Sequence, residues 1–398
     1  MSGVLRLRVV TPGLATTVQD RGRLGYEHLG VMVNGALDER AAAWANRLAG
    51  NDDGAAVLEM TLLGPTLKVE SVAAGGNGRA QGASASAALA GADLSCTLNG
   101  ERWPPGERRE LRAGDRIACG PARRGVRAYL AIAGGIDVPE VLGSRATDVL
   151  AGIGGLNGRV LRAGDVLPVG ARAGDGRAGR YALFEAPETL MEREVVRVLP
   201  GHRAAGAARR GLTRLVDTWY RVDPRSDRVG LRLVGPKVPA AVRGDEISEG
   251  MAIGAVEITN TGEPLLLLRS RGSIGGYPTL AVVISADIPA LAQRKPGDRL
   301  RFALVDESEA LRAWREQRTV TLRAPEWAVV ARETLAGEPR IAEPGERVER
   351  GSVLAMLEVM GSRRPLLCPV AGRLERVLVV EGAAVRAGNA VCEVLAGA

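Results

Sequence analysis

Lysine is almost absent from this chain. All but three of its 53 basic residues are arginine, the exceptions being Lys68, Lys237 and Lys295. The arginines are scattered between apolar residues in ones and twos. No basic block interleaves with aromatics, which total only 3% of 398 positions, so the stacking and phosphate contacts of a nucleic-acid binder are not expected. The net charge of +7 still suits an anionic substrate or an acidic partner protein. Two histidines and four cysteines limit imidazole and thiol chemistry. Cys96, Cys119, Cys368 and Cys392 form no C-x-x-C pair and adjoin no histidine, which argues against zinc and, in fact, any metal site. They read as isolated, buried thiols of a reducing, cytoplasmic protein. No run approaches the roughly 18 apolar residues of a membrane span. At the N-terminus, Val4 to Val10 alternates arginine with apolar residues, which suits a strand and not a secretory signal.

What the chain has is ordinary apolar content (46%), 25% charge and 52 glycines. Its length suggests two or three domains. Short apolar strands recur behind Gly-Asp turns, with close copies at Gly114-Asp115, Gly164-Asp165 and Gly297-Asp298. Glycine supplies a positive φ, aspartate bonds back to the backbone, and a strand follows. The pattern predicts a mainly β protein with few helices. Asp38 is placed to cap a helix over 39–49 that Gly50 closes, with Ala41, Trp44, Ala45 and Leu48 as its apolar stripe. A second helix is expected near 306–319, with Asp306 and Glu309 at its start and Leu311 and Trp314 on one face. The expected organisation is an N-terminal β domain over 1–172, a linker over 173–193, a second β domain over 194–305, the linker helix over 306–319 and a third unit over 320–398.

The run Pro12 to Tyr26 gathers Thr16, Thr17, Gln19, Asp20 and Arg23 between glycines, a mixture a plain surface turn does not require. In register with it follow His28-Leu29-Gly30-Val31, Asn34-Gly35-Ala36-Leu37-Asp38, Ala45-Asn46-Arg47-Leu48-Ala49-Gly50-Asn51, Leu58-Glu59, Gly64-Pro65, Tyr129 to Ile136 and Leu142-Gly143-Ser144-Arg145-Ala146-Thr147. Later come Ser226-Asp227-Arg228-Val229-Gly230, Ile247-Ser248-Glu249-Gly250 and Gly275-Gly276-Tyr277-Pro278. Together these resemble the allophanate-hydrolase-subunit-2-like, or biotin-dependent carboxyltransferase, family over about three-quarters of the chain. That family includes the C subunit of ATP-dependent 5-oxoprolinase, half of the carboxyltransferase domain of urea carboxylase, and antagonists of a kinase inhibitor.

The resemblance implies cyclophilin-like β-barrel domains. It also implies a partner resembling allophanate hydrolase subunit 1, with a companion hydrolase subunit or a separate biotin carrier as further partners. The expected activity is ATP-dependent opening of 5-oxoproline, with ATP shared with the partner. The alternatives are carboxyl transfer from carboxybiotin to urea or a related amide, and a regulatory subunit without chemistry. The chain departs from the family pattern at Val31-Met32-Val33-Asn34-Gly35, at Leu37-Asp38, at Ser270-Arg271-Gly272-Ser273-Ile274 and at Glu257, where the family carries glutamine.

A second resemblance covers 320–398. Residues Arg340 to Leu354, Cys368 to Leu374 and Glu381 to Gly388 resemble the two halves of a biotinyl or lipoyl domain, a flattened β-barrel. Its hairpin reads Glu358-Val359-Met360-Gly361, with Gly361 where the biotin-bearing lysine would stand. No lysine follows Lys295, so no covalent biotin is expected on this chain. The unit reads as a docking domain or as a vestige that stabilises the fold.

Carboxyl transfer and lactam opening both require a polarised carbonyl and a stabilised anion. The catalytic candidates are Gln19, Asp20, Arg23, His28 and Glu249, with His28 preferred to His202. The substrate-binding candidates are Thr16, Thr17, Asn34, Asp38, Arg145, Arg228, Gly275, Gly276 and Tyr277. Asp20 and Glu249 read equally as bases or as salt-bridge and capping groups. Arg23, Arg145 and Arg228 read as bidentate anion donors or as structural ion pairs. Tyr277 reads as a cleft residue or as a plug at a barrel end. No phosphate-binding glycine loop is present, since Ala133-Gly134-Gly135 lacks the following lysine.

Overall fold

A computed structural model describes residues 3–73, 84–171, 183–184, 193–202, 209–239, 248–332, 334–335 and 337–397. The chain divides into two compact units, Met1–Arg172 with Thr189–Ala310 and Ala173–Glu188 with Leu311–Ala398.

The Gly-Asp turns build the strands as the sequence implies. Gly114, Gly164 and Gly297 all have φ near +90 to +101°. Asp115, Asp165 and Asp298 each accept the backbone N–H three residues upstream, at 2.7, 2.7 and 3.0 Å. The strands Arg116–Ala118, Val166–Pro168 and Arg299–Leu304 follow.

In the first unit, strand Gly3–Thr11 buries Leu5, Leu7 and Val9 and turns Arg6 and Arg8 outward, the alternation of a half-buried strand. It lies between Val166–Pro168 and Thr66–Ala73 in a six-stranded sheet that continues through Arg116–Ala118, Thr97–Leu98 and Glu101–Arg102. A five-stranded sheet runs in the order Ala15–Gln19, Val57–Thr61, Arg124–Ile132, Ser84–Asp93 and Arg108–Arg112. One core draws on both sheets, including Leu7, Leu67 and Val69 from the first and Val18, Leu58 and Leu130 from the second.

Seven further strands close into a barrel in the order Val195–Pro200, Thr279–Val283, Ala255–Ile258, Pro264–Leu267, Gly230–Val234, Trp219–Val222 and Arg299–Leu304. The pair that closes it, Val195–Pro200 with Arg299–Leu304, is parallel, and the other pairings are antiparallel. Its interior holds Val198, Tyr220, Leu231, Val256, Ile258, Leu266 and Phe302.

Helix Glu39–Ala49 begins at Asp38, whose carboxylate accepts the Ala41 N–H at 2.9 Å, and ends at Gly50 in the left-handed region. Trp44, Ala41 and Ala45 are buried as expected, while Leu48, the fourth residue of the expected stripe, is only half-buried. Asp38→Ala is expected to lower stability by about 1–2 kcal/mol, while Asp38→Asn loses less. Urea-unfolding midpoints of the two variants check this.

The second helix spans Glu307–Arg318, and Asp306 accepts the Glu309 N–H at 2.8 Å. The expected Leu311–Trp314 face is corrected. Ala313 is the buried residue and Leu311 is exposed. Arg312, Arg315 and Glu316 flank these two apolar residues, too narrow a stripe to make a buried face. Trp314 instead carries the Arg318 guanidinium 5.0 Å above its ring.

In the second unit, one sheet orders Leu183–Phe184, Thr319–Arg323, Ala390–Ala396, Gly372–Val377 and Arg347–Val348. The other orders Ser362–Leu367, Val353–Val359, Ala328–Ala331 and Ala384–Val385. Both contribute to a core of Leu322, Val330, Leu357, Leu374 and Val394. Most of the expected linker over 173–193 lies outside the described residues, and Leu183–Phe184 within it is a strand paired with Arg323 and Leu322. The expectation of four isolated thiols holds for Cys368 and Cys392, which are free and buried. It is corrected for Cys96 and Cys119, which form a disulfide. They lie 23 residues apart, and the pairing of strand Thr97–Leu98 with Arg116–Ala118, Thr97 opposite Ala118, brings them together.

Candidate functional site

The sheet that carries the N-terminal signature has one face in the core and one face lined with polar groups. Register sets this: Thr17 pairs with Glu59, and Glu59 with Tyr129. Side chains alternate along a strand, so these three share the face opposite Val18, Leu58 and Leu130. Glu59 is the centre of the arrangement, with 1% exposure. Its Oε2 accepts the Leu37 N–H and the Tyr129 hydroxyl, both at 2.9 Å. Its Oε1 meets Arg228, and the Arg127 Nε lies 3.8 Å away. Burial alone would raise this carboxyl. The charges of Arg228 and Arg127, with the two donors, outweigh that and hold it below the usual carboxylate range.

The network extends into the barrel part of the unit. Gln293 donates to Asp38 Oδ2 at 2.8 Å and accepts the Val126 and Arg127 N–H groups at 3.0 Å. Asp38 Oδ1 is already the helix cap, and burial raises its pKa despite these partners. Arg228 also donates to the Gly35 carbonyl at 2.5 Å. Ser270 donates to Asn34 Oδ1 at 2.7 Å, and Arg269 donates to the carbonyls of Arg21 and Asn34 at 3.0 and 3.1 Å. Burial, helped by Arg271, depresses the Arg269 guanidinium to about 10. Residues 33–38 are therefore clamped between the signature and the barrel. Gly22 and Gly35 make the close pass possible: a Cβ on Gly22 would meet the Val33 carbonyl at 2.4 Å, and one on Gly35 the Arg21 backbone at 2.8 Å.

The signature residues tie this segment to the loop over 141–158. Asp20 accepts from the Gly22 N–H at 2.8 Å and from the Ser144 hydroxyl and Arg145 N–H at 2.6 Å each. Gln19 donates to Thr17 at 3.0 Å and to the Thr147 carbonyl at 3.2 Å, and its Oε1 is buried without a hydrogen-bond partner. Arg23 is fully buried, donating to the Val141 and Ala146 carbonyls at 3.1 and 2.5 Å. Its Nη1 has no partner, and burial lowers its pKa. Thr16 bonds the Pro12 carbonyl at 2.7 Å. The Arg145 guanidinium is held by Val138, Glu140 and Asp137. His28 lies exposed in the 3₁₀ turn Glu27–Leu29, apart from the buried network.

A second cluster lies on the barrel. Glu249 pairs through its backbone with Gly275, and Met251 Sδ lies where a Cβ on Gly275 would stand. The Glu249 carboxylate meets His202 Nε2 at 2.9 Å. Beside them Glu257 is 3% exposed, and among the described residues burial and the Glu249 charge act on its carboxyl with no hydrogen-bond donor beside them. Burial, then the charge of Glu249, pushes it up to about 7. A carboxyl at that value can hold or release a proton near neutrality. Tyr277 stands partly exposed next to Gly276. The structure thus places most of the expected site residues in a buried network around Glu59 or near a barrel cluster around Glu257, and leaves His28 exposed outside both.

The family described as "Carboxyltransferase domain, subdomain A and B" matches residues 29–304. The C subunit of Escherichia coli 5-oxoprolinase is 34% identical over 78% of this chain and 95% of its own length. The chain belongs to this carboxyltransferase family.

Among solved structures, that of Kluyveromyces lactis urea amidolyase, 31% identical, covers 78% of this chain with a TM-score of 0.66, and this chain spans 19% of it. The crystal structure of TTHA0988, 37% identical, covers 75% with a TM-score of 0.63, and this chain spans 55% of it. A further family, "Biotin-requiring enzyme", matches residues 320–394. In this carboxyltransferase-family chain the hairpin of that unit closes with Val359 opposite Ser362. Between them Met360 and Gly361 have φ of +46° and +78°, a two-residue turn of the I′ kind. Met360 is 97% exposed at the tip. The residues present do not fit covalent biotin, because the turn offers no amine.

Sequence reasoning named Leu58-Glu59 and Tyr129 only as parts of motifs and did not single them out. The period-2 polar residue in an otherwise apolar Val57–Thr61 strand was the available signal for Glu59. Glu257 stood out only as the replacement of a family glutamine.

Proposed function

We propose that the chain is one component of an ATP-dependent enzyme that opens a cyclic amide of the 5-oxoproline type. It acts with a partner resembling allophanate hydrolase subunit 1 and with a companion hydrolase subunit. The observation that carries this reading is the 34% identity to the C subunit of 5-oxoprolinase across 95% of that protein. ATP belongs with the partner on this reading, since no glycine loop followed by lysine is present to cradle its phosphates. On this chain, Glu257 supplies a carboxyl that holds a proton near neutrality, and Glu249 with His202 supplies an adjacent acceptor and imidazole. The Glu59 network fixes the segment 33–38 and so the spacing of signature and barrel.

The test is ATP turnover by the chain co-expressed with its partners and given 5-oxoproline, without any biotinylated protein. ATP consumption matched by glutamate release supports the reading, and no turnover with all components present overturns it.

A second reading has its own support in the fold shared with urea amidolyase and the biotinyl-type unit. It makes the chain a carboxyltransferase served by biotin on a separate carrier. Activity that appears only with a carboxylated carrier and a urea-like acceptor would establish it.

On either reading the chain itself carries no biotin. Gly361→Lys places an amine at the tip, in a left-handed position that costs about 1–2 kcal/mol. A biotin protein ligase is expected to label that variant and leave the parent chain unlabelled on a streptavidin blot. Labelling of the parent would overturn the assignment.

A further inference from the structure

Strand Ala255–Ile258 turns Val256 and Ile258 into the barrel core, so Glu257 between them lies on the barrel's outer face. An outward carboxylate normally meets water, yet this one is 3% exposed. It pairs across the ladder with Thr279, and Gly201, whose N–H donates to the Leu280 carbonyl at 2.8 Å, runs beside that strand so closely that a Cβ on it would come within 2.3 Å of the Thr279 carbonyl. The titratable groups beside it are Glu249, whose charge acts on it directly, and His202, which faces Glu249 at 2.9 Å. Side-chain exposure rises from Glu257 to Glu249 (28%) to His202 (62%), so the cluster opens to solvent at the imidazole.

A buried carboxyl without donors sheds its charge. Protonated, it presents an O–H donor and a C=O acceptor side by side. A cis amide presents the complementary pair on adjacent atoms, N–H and C=O, so the two close a ring of two hydrogen bonds. A free carboxylate could make only one of them, and a second anion beside Glu249 would be repelled.

We propose that Glu257, with Glu249 and His202 at its mouth, is the subsite that recognises the cis-amide edge of the substrate by a two-point hydrogen-bonded pair. Lactams and urea share that edge. The inference rests on the proposed function for the relevance of a cyclic amide, and it assigns the specificity to this cluster instead of to the signature run. Glu249 is the acceptor for any second N–H, held in place by His202.

The experiment is ligand-observed NMR titration of the full chain with 2-pyrrolidinone, N-methyl-2-pyrrolidinone and urea. The parent chain is expected to bind 2-pyrrolidinone, and N-methylation, which removes the donor, is expected to weaken binding at least tenfold. Glu257→Gln keeps one donor and one acceptor and should stay within about threefold of the parent, whereas Glu257→Ala should lose at least tenfold. Urea bound more tightly than the lactam would support the subsite while moving the substrate to the second functional reading. No binding of either amide to the parent, equal binding of the N-methyl compound, or unchanged binding by Glu257→Ala would each overturn the proposal. The binding is read without ATP or partners, so failed turnover in the co-expression assay with binding intact strikes the proposed function and leaves the subsite standing.

Discussion

Replacing Glu59 by glutamine is expected to cost the first unit about 3–5 kcal/mol, the usual penalty for removing one member of a buried ion pair. Glutamine keeps the shape and an acceptor for the Leu37 N–H or the Tyr129 hydroxyl. It removes the carboxylate that stands against both Arg228 and Arg127. Arg127 is nearly fully buried, with its remaining bond going to the Ala292 carbonyl at 2.5 Å, so its charge has no water to fall back on. The urea midpoint should drop accordingly, and a chain of this size should lose roughly ten degrees in thermal midpoint. The triple variant Glu59→Met with Arg127→Met and Arg228→Met should recover a good part of the loss, because apolar residues of similar volume often replace a complete buried ion group without penalty. A Glu59→Gln midpoint within a degree of the parent would show that the network is not electrostatically coupled. The sign in pH is also fixed. The folded pKa of Glu59 is depressed, so its contribution is present above the unfolded value of about 4.5 and is lost as pH falls through the folded value.

Local chemistry was legible wherever one residue dictates one geometry. The three Gly-Asp turns, the Asp38 cap and the Gly50 stop all follow from φ restrictions and short-range hydrogen bonds, which a sequence displays directly. Closure of the barrel was not legible, because it depends on Val195–Pro200 meeting Arg299–Leu304 in parallel across about a hundred residues. The disulfide between Cys96 and Cys119 was missed for the same reason. The signature run was noticed for its polarity, and its side chains are now seen to make specific contacts within the unit. Asp20 and Arg23 direct most of their hydrogen bonds to the loop at 141–146, with Arg23 Nη1 left buried and without a partner. Density of polar groups cannot by itself separate a ligand site from a loop clamp, since both need several donors and acceptors close together. The buried Glu59 and Glu257 each sit in a strand where only register reveals what stands opposite.

Glu257 makes the other large prediction, and its sign is opposite. Its pKa is raised from an unfolded value near 4.5 to about 7, first by burial and then by Glu249. Between those values the folded chain keeps a proton that the unfolded chain has released. The stability this gives is fully present below about pH 4.5, falls as pH rises, and is lost once pH passes 7. The total is on the order of 3 kcal/mol, since each pKa unit is worth about 1.4 kcal/mol. Glu257→Gln has no proton to lose, so it should match the parent at pH 4.5 and exceed it by roughly that amount at pH 8. Urea midpoints of both chains at pH 5, 6, 7 and 8 give the comparison, and parallel curves would refute it. Asp38, also raised by burial, slopes the same way in the parent, but it is present in both chains and drops out of the difference. Glu59 acts below about pH 4.5, outside this window, so it does not enter the comparison between pH 5 and 8. A protonated carboxyl and an amide of the same shape each offer one donor and one acceptor on the same edge, so the pH dependence of stability separates Glu257 from glutamine where amide binding does not.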